Sequence, residues 1–180
     1  MIAMPVTTLS LSSVSMSEAG FKYMVSQFYK MHQRSLQTNR EFEEQLNLDV
    51  SKNMLSDDSI KSFAELITKF EGFRSVNLMS IRPRMNKKDT GYLDLAKALR
   101  ENKSIVELDL RDNEIIESST SKILEALEYN FVISDVKIDI KSKYMPANFS
   151  SYALQSMYEF TLSVEDINLG ALPTTNETDR

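Results

Sequence analysis

Residues able to carry chemistry are few in this chain, and their spacing argues against catalysis. There is one histidine and no cysteine. Thiol nucleophiles, disulfides and cysteine–zinc sites are therefore excluded. His32 stands in a polar helical stretch, KMHQRS, where a single imidazole is expected to face solvent. The four glycines, at 20, 72, 91 and 170, are scattered, and neither a GxxxxGK phosphate loop nor a GxGxxG turn occurs. A metal would have to be held by carboxylates. Asp135 and Asp139, on either side of Lys137, come nearest to a Mg2+ pair, and nothing else in the sequence supports one. Acid–base catalysis needs two carboxyls with separated pKa values, and no such pair declares itself. The expectation is a non-enzyme with no catalytic residue, no metal and no cofactor.

What remains is charged surface, and the elements that present it follow from one stretch, SIVELDLRDNEI at 104–115. Val106, Leu108 and Leu110 alternate with polar residues, which predicts a strand with one buried face. Leu108 and Leu110 have counterparts 28 residues later in Val136 and Ile138, and 32 earlier in Val76 and Leu78. A further 28 residues back stand Leu48 and Val50. The longer spacing contains an insertion, RPRMNKK, from Arg82. Between the strands Phe63, Leu95 and Ile123 correspond, as do Ile67, Leu99 and Leu127, and then Phe73, Ile105 and Ile133. The first two sets lie four apart within each unit, so they share a helix face. Cap-type residues precede each helix: Ser56-Asp57-Asp58, Asp89-Thr90 and Ser118-Ser119-Thr120. Each unit reads strand, loop, helix, loop, and stacking of neighbours buries a core that no unit buries by itself.

LDLRDNEI followed by ILEALEYN, with ALRENKSIVELDL at the junction one unit earlier, resembles the leucine-rich repeat family in its longer, ribonuclease-inhibitor-like form. The likeness covers roughly residues 46–142. It implies an α/β fold, a short leucine-rich-repeat solenoid with parallel strands on the concave face and helices on the convex face. The asparagine that such repeats use to bond the turn backbone is matched by Asn53 and Asn113, while Ile81 and Lys141 occupy its place in the other two units. The likeness also implies recognition of a protein partner through the sheet face and adjoining loops, without catalysis.

The domain plan that follows has four parts. Residues 1–45 form a degenerate repeat or capping helix, with a strand around Val6, Leu9 and Leu11 and a helix over 17–45. That helix sets Phe21, Met24, Phe28 and Met31 at helical spacing as a cap over the first repeat. Residues 46–145 hold the repeats. Residues 146–171 form a degenerate last repeat or cap, with a helix over 150–161 and a strand through Val164, Ile167 and Leu169. Residues 172–180 form a polar, disordered tail.

Period two turns Asn47, Asp49 and Ser51 outward in the first repeat, then Ser75, Asn77 and Met79, then Glu107, Asp109 and Arg111, then Asp135, Lys137 and Asp139. The charged members, Asp49, Glu107, Asp109, Arg111, Asp135, Lys137 and Asp139, are the candidate partner-binding residues. An acidic stripe attracts a basic partner surface, although exposed charge by itself marks no site. The second candidate is the basic loop with Arg82, Arg84, Lys87 and Lys88, since a loop longer than its repeat requires lies on the surface. A net charge of −5 weighs against nucleic acid as the main partner.

No run approaches the roughly eighteen apolar residues of a membrane span, and the start lacks a basic n-region. The expected location is the cytoplasm. Three sequons, at Asn102, Asn148 and Asn176, would matter only on secretion. The leading expectation is a protein-binding module or assembly subunit. Its rivals are a regulator of a GTPase or of actin, an RNA or phospholipid accessory protein using the basic loop, and a structural fragment of a longer repeat protein.

Overall fold

Leu9, Leu48, Val76, Leu108 and Val136 stand side by side across one parallel sheet, so the register read from the repeats is the register of the molecule. The structure is a computed structural model that describes residues 6–38, 45–81, 90–140 and 159–162. Its strands are β1 (Thr8–Ser10), β2 (Leu46–Asp49), β3 (Phe73–Asn77), β4 (Glu107–Asp109), β5 (Asp135–Ile140) and β6 (Glu159–Leu162). The helices are α1 (Glu18–Thr38), α2 (Asp57–Ile67), α3 (Thr90–Glu101) and α4 (Glu117–Glu128). Strands neighbour one another in chain order and every pair is parallel. Helices α1 to α4 likewise pack each on the next. The architecture is an α/β fold, a short solenoid of leucine-rich-repeat type.

Inward residues of the strands and one stripe of each helix form a continuous apolar core, with Leu48, Val76, Leu108 and Val136 meeting Phe63, Leu95 and Ile123. The matched helix positions Ile67, Leu99 and Leu127 are buried too, as are Phe73, Ile105 and Ile133. Strands are short because the chain must bend inward at the end of each. The parallel ladder nevertheless runs on through Val50 N–H to Asn77 O (3.1 Å), Leu78 N–H to Asp109 O (2.8 Å) and Leu110 N–H to Lys137 O (2.7 Å). Lys52, Ser80 and Asp112 then take left-handed φ of 55°, 54° and 57° at equivalent places in three repeats. A single such residue reverses the backbone toward the core.

That reversal buries backbone groups which need partners. Asn113, 4% exposed, donates Nδ2–H to Leu78 O and Leu110 O, both at 2.8 Å, and accepts Ile81 N–H at 2.9 Å. Asn53 does the same work two turns of the solenoid earlier, donating to Leu11 O and Val50 O and accepting from Met16 N–H. Ile81 lies between them without a polar side chain, yet its departure from the pattern leaves no gap. Val50 O is served by Asn53, Leu78 O by Asn113, and the Ile81 N–H by Asn113.

A second set of buried amides, not singled out in the sequence, closes the helix-to-strand side. Asn102 donates to Ile67 O (2.8 Å) and accepts from Ser104 and Ile105 N–H. Asn130 donates to Leu99 O and Asn102 O and accepts from Val132 and Ile133 N–H. With its amide engaged and its side chain buried, Asn102 is no glycan acceptor. The equivalent position one repeat earlier is Phe70, whose ring packs on Phe28 and Phe73 at 5.4 and 4.7 Å between centroids. An aromatic cluster replaces the amide bridge at the end that α1 covers.

The structure revises several boundaries. Helix α1 ends at Thr38, and residues 39–44 lie outside the described set. Its buried stripe is Phe21, Met24, Val25 and Phe28, and the i+4 step leads on to His32, not Met31. His32 is half-buried, its ring 6.5 Å from that of Phe70, and Met31 is exposed. The helix expected over 150–161 is instead strand β6 at its end. Phe160 and Leu162 alternate with Glu159 and Thr161 and pair with Ile138 and Ile140, and residues 150–158 lie outside the described set. Val164 to Leu169 and the tail lie outside the described residues, as does Lys141.

Among the caps, Ser56 accepts Ser59 N–H as expected, whereas α4 begins after Ile116 without a side-chain cap bond. Helix α3 is capped from its neighbour. Asp57 of α2 accepts Gly91 N–H at 2.7 Å and the Thr90 hydroxyl. A Cβ on Gly91 would lie 2.5 Å from Asp57 O, so this close approach of two helix starts requires glycine.

Two outcomes test this reading. Leu110→Asp places an uncompensated charge in the core and is expected to abolish cooperative unfolding and the mixed α/β circular dichroism spectrum. Asn113→Ala strands two carbonyls and one N–H, and urea denaturation should show a loss of about 2–4 kcal/mol. A change under about 0.5 kcal/mol would mean that the amide bridges are dispensable.

Candidate protein-binding face

The outward strand residues form rows across the sheet. One row runs Thr8, Asn47, Ser75, Glu107, Asp135, and the next runs Ser10, Asp49, Asn77, Asp109, Lys137. The sheet thus brings the sequence-predicted residues of four separate segments onto one surface. Ser51 is an exception. It is 3% exposed and shares a 2.8 Å hydrogen bond with Ser12, so it belongs to the structure of the rim.

Within these rows the acidic residues divide by role. Asp49 Oδ1 accepts Ser51 N–H at 2.9 Å, Asn77 Oδ1 accepts Met79 N–H at 3.0 Å, and Asp109 Oδ1 accepts Arg111 N–H at 3.1 Å. This is the same Asx turn in three successive repeats, steering the chain out of each strand. Its signal was legible as Asp or Asn two residues before each bend, and Asn77 shows that the turn needs no charge. Asp109 also holds the Arg111 guanidinium, with Nη2 at 2.7 Å from Oδ2 and Nε at 3.1 Å from Oδ1. Asp139 Oδ2 accepts Asp112 N–H at 2.6 Å, closing the left-handed turn of the neighbouring repeat.

Three of the five acidic candidates therefore serve the backbone. Glu107 and Asp135 are the carboxylates left to face a partner. They are adjacent in the register, and the Arg74 guanidinium reaches Glu107 only at 3.9 Å across open surface. Such a pair contributes little. Lys137 sits beside Asp109 and gives the row a positive end.

The basic loop residues Arg82, Arg84, Lys87 and Lys88 lie outside the described residues. Among the described residues no three His, Cys, Asp or Glu side chains converge as a metal site, and no helix is long and apolar enough to cross a membrane.

No family model matches the chain, and no curated protein matches it. Among solved structures it is similar to leiomodin-1 actin-binding site 2, at 14% identity with a TM-score of 0.57, covering 73% of this chain and 69% of that one. At that identity the likeness concerns the fold.

The division of labour among the carboxylates is testable. Asp109→Ala removes a turn acceptor and the partner of Arg111, and should lower unfolding free energy by about 1–2 kcal/mol. The double variant Glu107→Lys/Asp135→Lys should remain within about 0.5 kcal/mol of wild type, as exposed substitutions do. Equal losses in the two variants would contradict the assignment.

Proposed function

We propose that the chain is a non-catalytic protein-binding module of ribonuclease-inhibitor-like leucine-rich repeats, recognising its partner through the concave sheet face and adjoining loops. The observation that carries this reading is the adjacent Glu107 and Asp135 pair, which stands on the sheet free of the turn-closing duties that occupy Asp49, Asp109 and Asp139. A rigid parallel sheet presents these groups at fixed spacing, which lowers the ordering cost of binding. Their charge favours a partner with a basic patch and speeds its encounter. As subunit or adaptor, such a module would work in the cytoplasm.

A finer reading is that the partner is actin. It is supported by the similarity of the fold to an actin-binding site of leiomodin-1, and regulation of the actin cytoskeleton would then be the role.

The diagnostic variant is Glu107→Lys/Asp135→Lys, because reversing Asp109 or Asp139 would disturb the turns themselves. Affinity capture followed by mass spectrometry is expected to recover a partner with wild type and to lose it with this variant. Retention of the same partner by the variant would remove the concave face from the interaction. Sedimentation with monomeric and filamentous actin tests the finer reading directly, and absence of binding to both forms would set it aside.

A further inference from the structure

Stacking helices leaves a groove between each successive pair, so the existence of a groove on the convex side carries no functional weight. The groove between α2 and α3 and that between α3 and α4 can, however, be compared position by position. The groove between α2 and α3 has a volume of about 280 Å3 and that between α3 and α4 about 310 Å3. The floors match, with Ala64 and Ala98 in the first and Ala96 and Ala126 in the second.

The walls differ. Lys61 of the first groove is replaced by Leu93, Glu65 by Lys97, Thr68 by Arg100 and Asp94 by Lys122. These four changes are toward an apolar or a positive side chain, while a fifth, Lys97 to Glu125, runs the other way. The first groove carries two cations, Lys61 and Lys97, against three anions, Glu65, Asp94 and Glu101, a balance of −1. The second carries Lys97, Arg100 and Lys122 against Glu125, a balance of +2, in a chain whose net charge is −5.

The position equivalent to Glu101 is Tyr129, which does not line the groove itself, and the Arg100 guanidinium lies 4.3 Å above its ring. That stacking holds the cation at the groove mouth without neutralising it. Lys97 and Lys122 are exposed and bridge to Asp94 and Glu125 at 3.0 and 2.5 Å, pairs that water screens and a ligand carboxylate can exchange. The hydrogen bond from Lys122 holds the Glu125 carboxyl below the usual range, and Arg100 adds to this.

We propose that the α3–α4 groove is a second docking surface, taking an amphipathic helix of a partner protein that is apolar on one side and acidic along its edges. Small floor residues admit a helix closely, Leu93 gives an apolar wall, and the cations of the rim match carboxylates on the incoming helix. The proposal is independent of the concave face, which lies on the opposite side of the solenoid and carries the opposite charge.

The test converts the second groove into the chemistry of the first with Leu93→Lys/Arg100→Thr/Lys122→Asp, all at exposed or half-exposed positions. An unchanged thermal transition establishes that the variant is folded. The probe is a fluorescein-labelled synthetic helix with Leu and Ala on one face and Glu on the other, beside a twin carrying Lys in place of Glu. Anisotropy is expected to show binding of the acidic peptide, weakened about tenfold or more in the variant and in the Lys twin. Amide NMR shifts should centre on Leu93, Ala96 and Ala126. Equal binding of the two peptides, equal binding by wild type and variant, shifts centred on Glu107 and Asp135, or no binding of the acidic peptide would each overturn the proposal. So would self-association of wild type that the variant loses, which would assign the groove to a second copy of this chain.

Discussion

Every repeat of this molecule depends on satisfying backbone groups at the two places where the chain turns into its own interior. A strand that ends in a left-handed residue points carbonyls and N–H groups inward, where water cannot reach them, and each left unpaired would cost about 1–3 kcal/mol. Asn53 and Asn113 meet that demand on one rim, and Asn102 and Asn130 on the other. Each buried amide bonds its own repeat and the preceding one, so it sets the spacing of the stack as well as closing a turn. Hydrophobic burial drives the helices onto the sheet, but it is non-directional. The amides supply the register that keeps Leu48, Val76, Leu108 and Val136 in line.

This explains why two breaks in the asparagine pattern are tolerated differently. At Ile81 the neighbours on both sides already reach the carbonyls that an amide there would have served, and the isoleucine adds apolar contact in the core. At Phe70 the amide of the next repeat, Asn102, reaches Ile67 O, and aromatic packing fills the place of the missing amide. Phe28 from α1, Phe63, Phe70 and Phe73 pack with ring centroids 4.7 to 6.0 Å apart. A lost bridge is compatible with the fold where another element can cover the site, and α1 is that element.

Much of the fold was legible because stacking forces it to repeat. Alternating residues at 48, 76, 108 and 136 gave the strands and their register, and helix faces followed from pairs such as Leu95 and Leu99. Features peculiar to one repeat were not legible. The capping of α3 by Asp57 depends on two helix starts meeting 33 residues apart in sequence, which no local pattern announces. Strand β6 was hidden because a four-residue stretch with Phe160 and Leu162 fits the end of a helix nearly as well as a strand until Ile138 and Ile140 lie beside it. Of the candidate site, the placement of Glu107, Asp109 and Asp135 on one face followed from period two. What sequence could not separate was charge that serves a turn from charge that faces solvent, because Asp109 and Glu107 differ only in which backbone N–H lies within reach.

The same repetition makes the molecule its own control for assigning function. Whatever stacking demands must occur in each repeat, so a feature present in all of them reports the fold. The Asx acceptors Asp49, Asn77 and Asp109 recur in three successive repeats and report the fold in this way, and their charge is incidental, since the neutral amide of Asn77 does the same work. A feature found in one repeat, at a position whose equivalents do without it, is not required by the architecture. The carboxylates of Glu107 and Asp135 are not required in this sense, since the equivalent positions in the row are the uncharged Asn47 and Ser75. Nor is Arg100, with Thr68 at its equivalent position and Tyr129 supporting it from below. The acidic pair and Arg100 lie on opposite faces of the sheet-and-helix layer. If both proposed surfaces bind, the solenoid holds two partners at once, and the rigidity that fixes each face also fixes the distance between them.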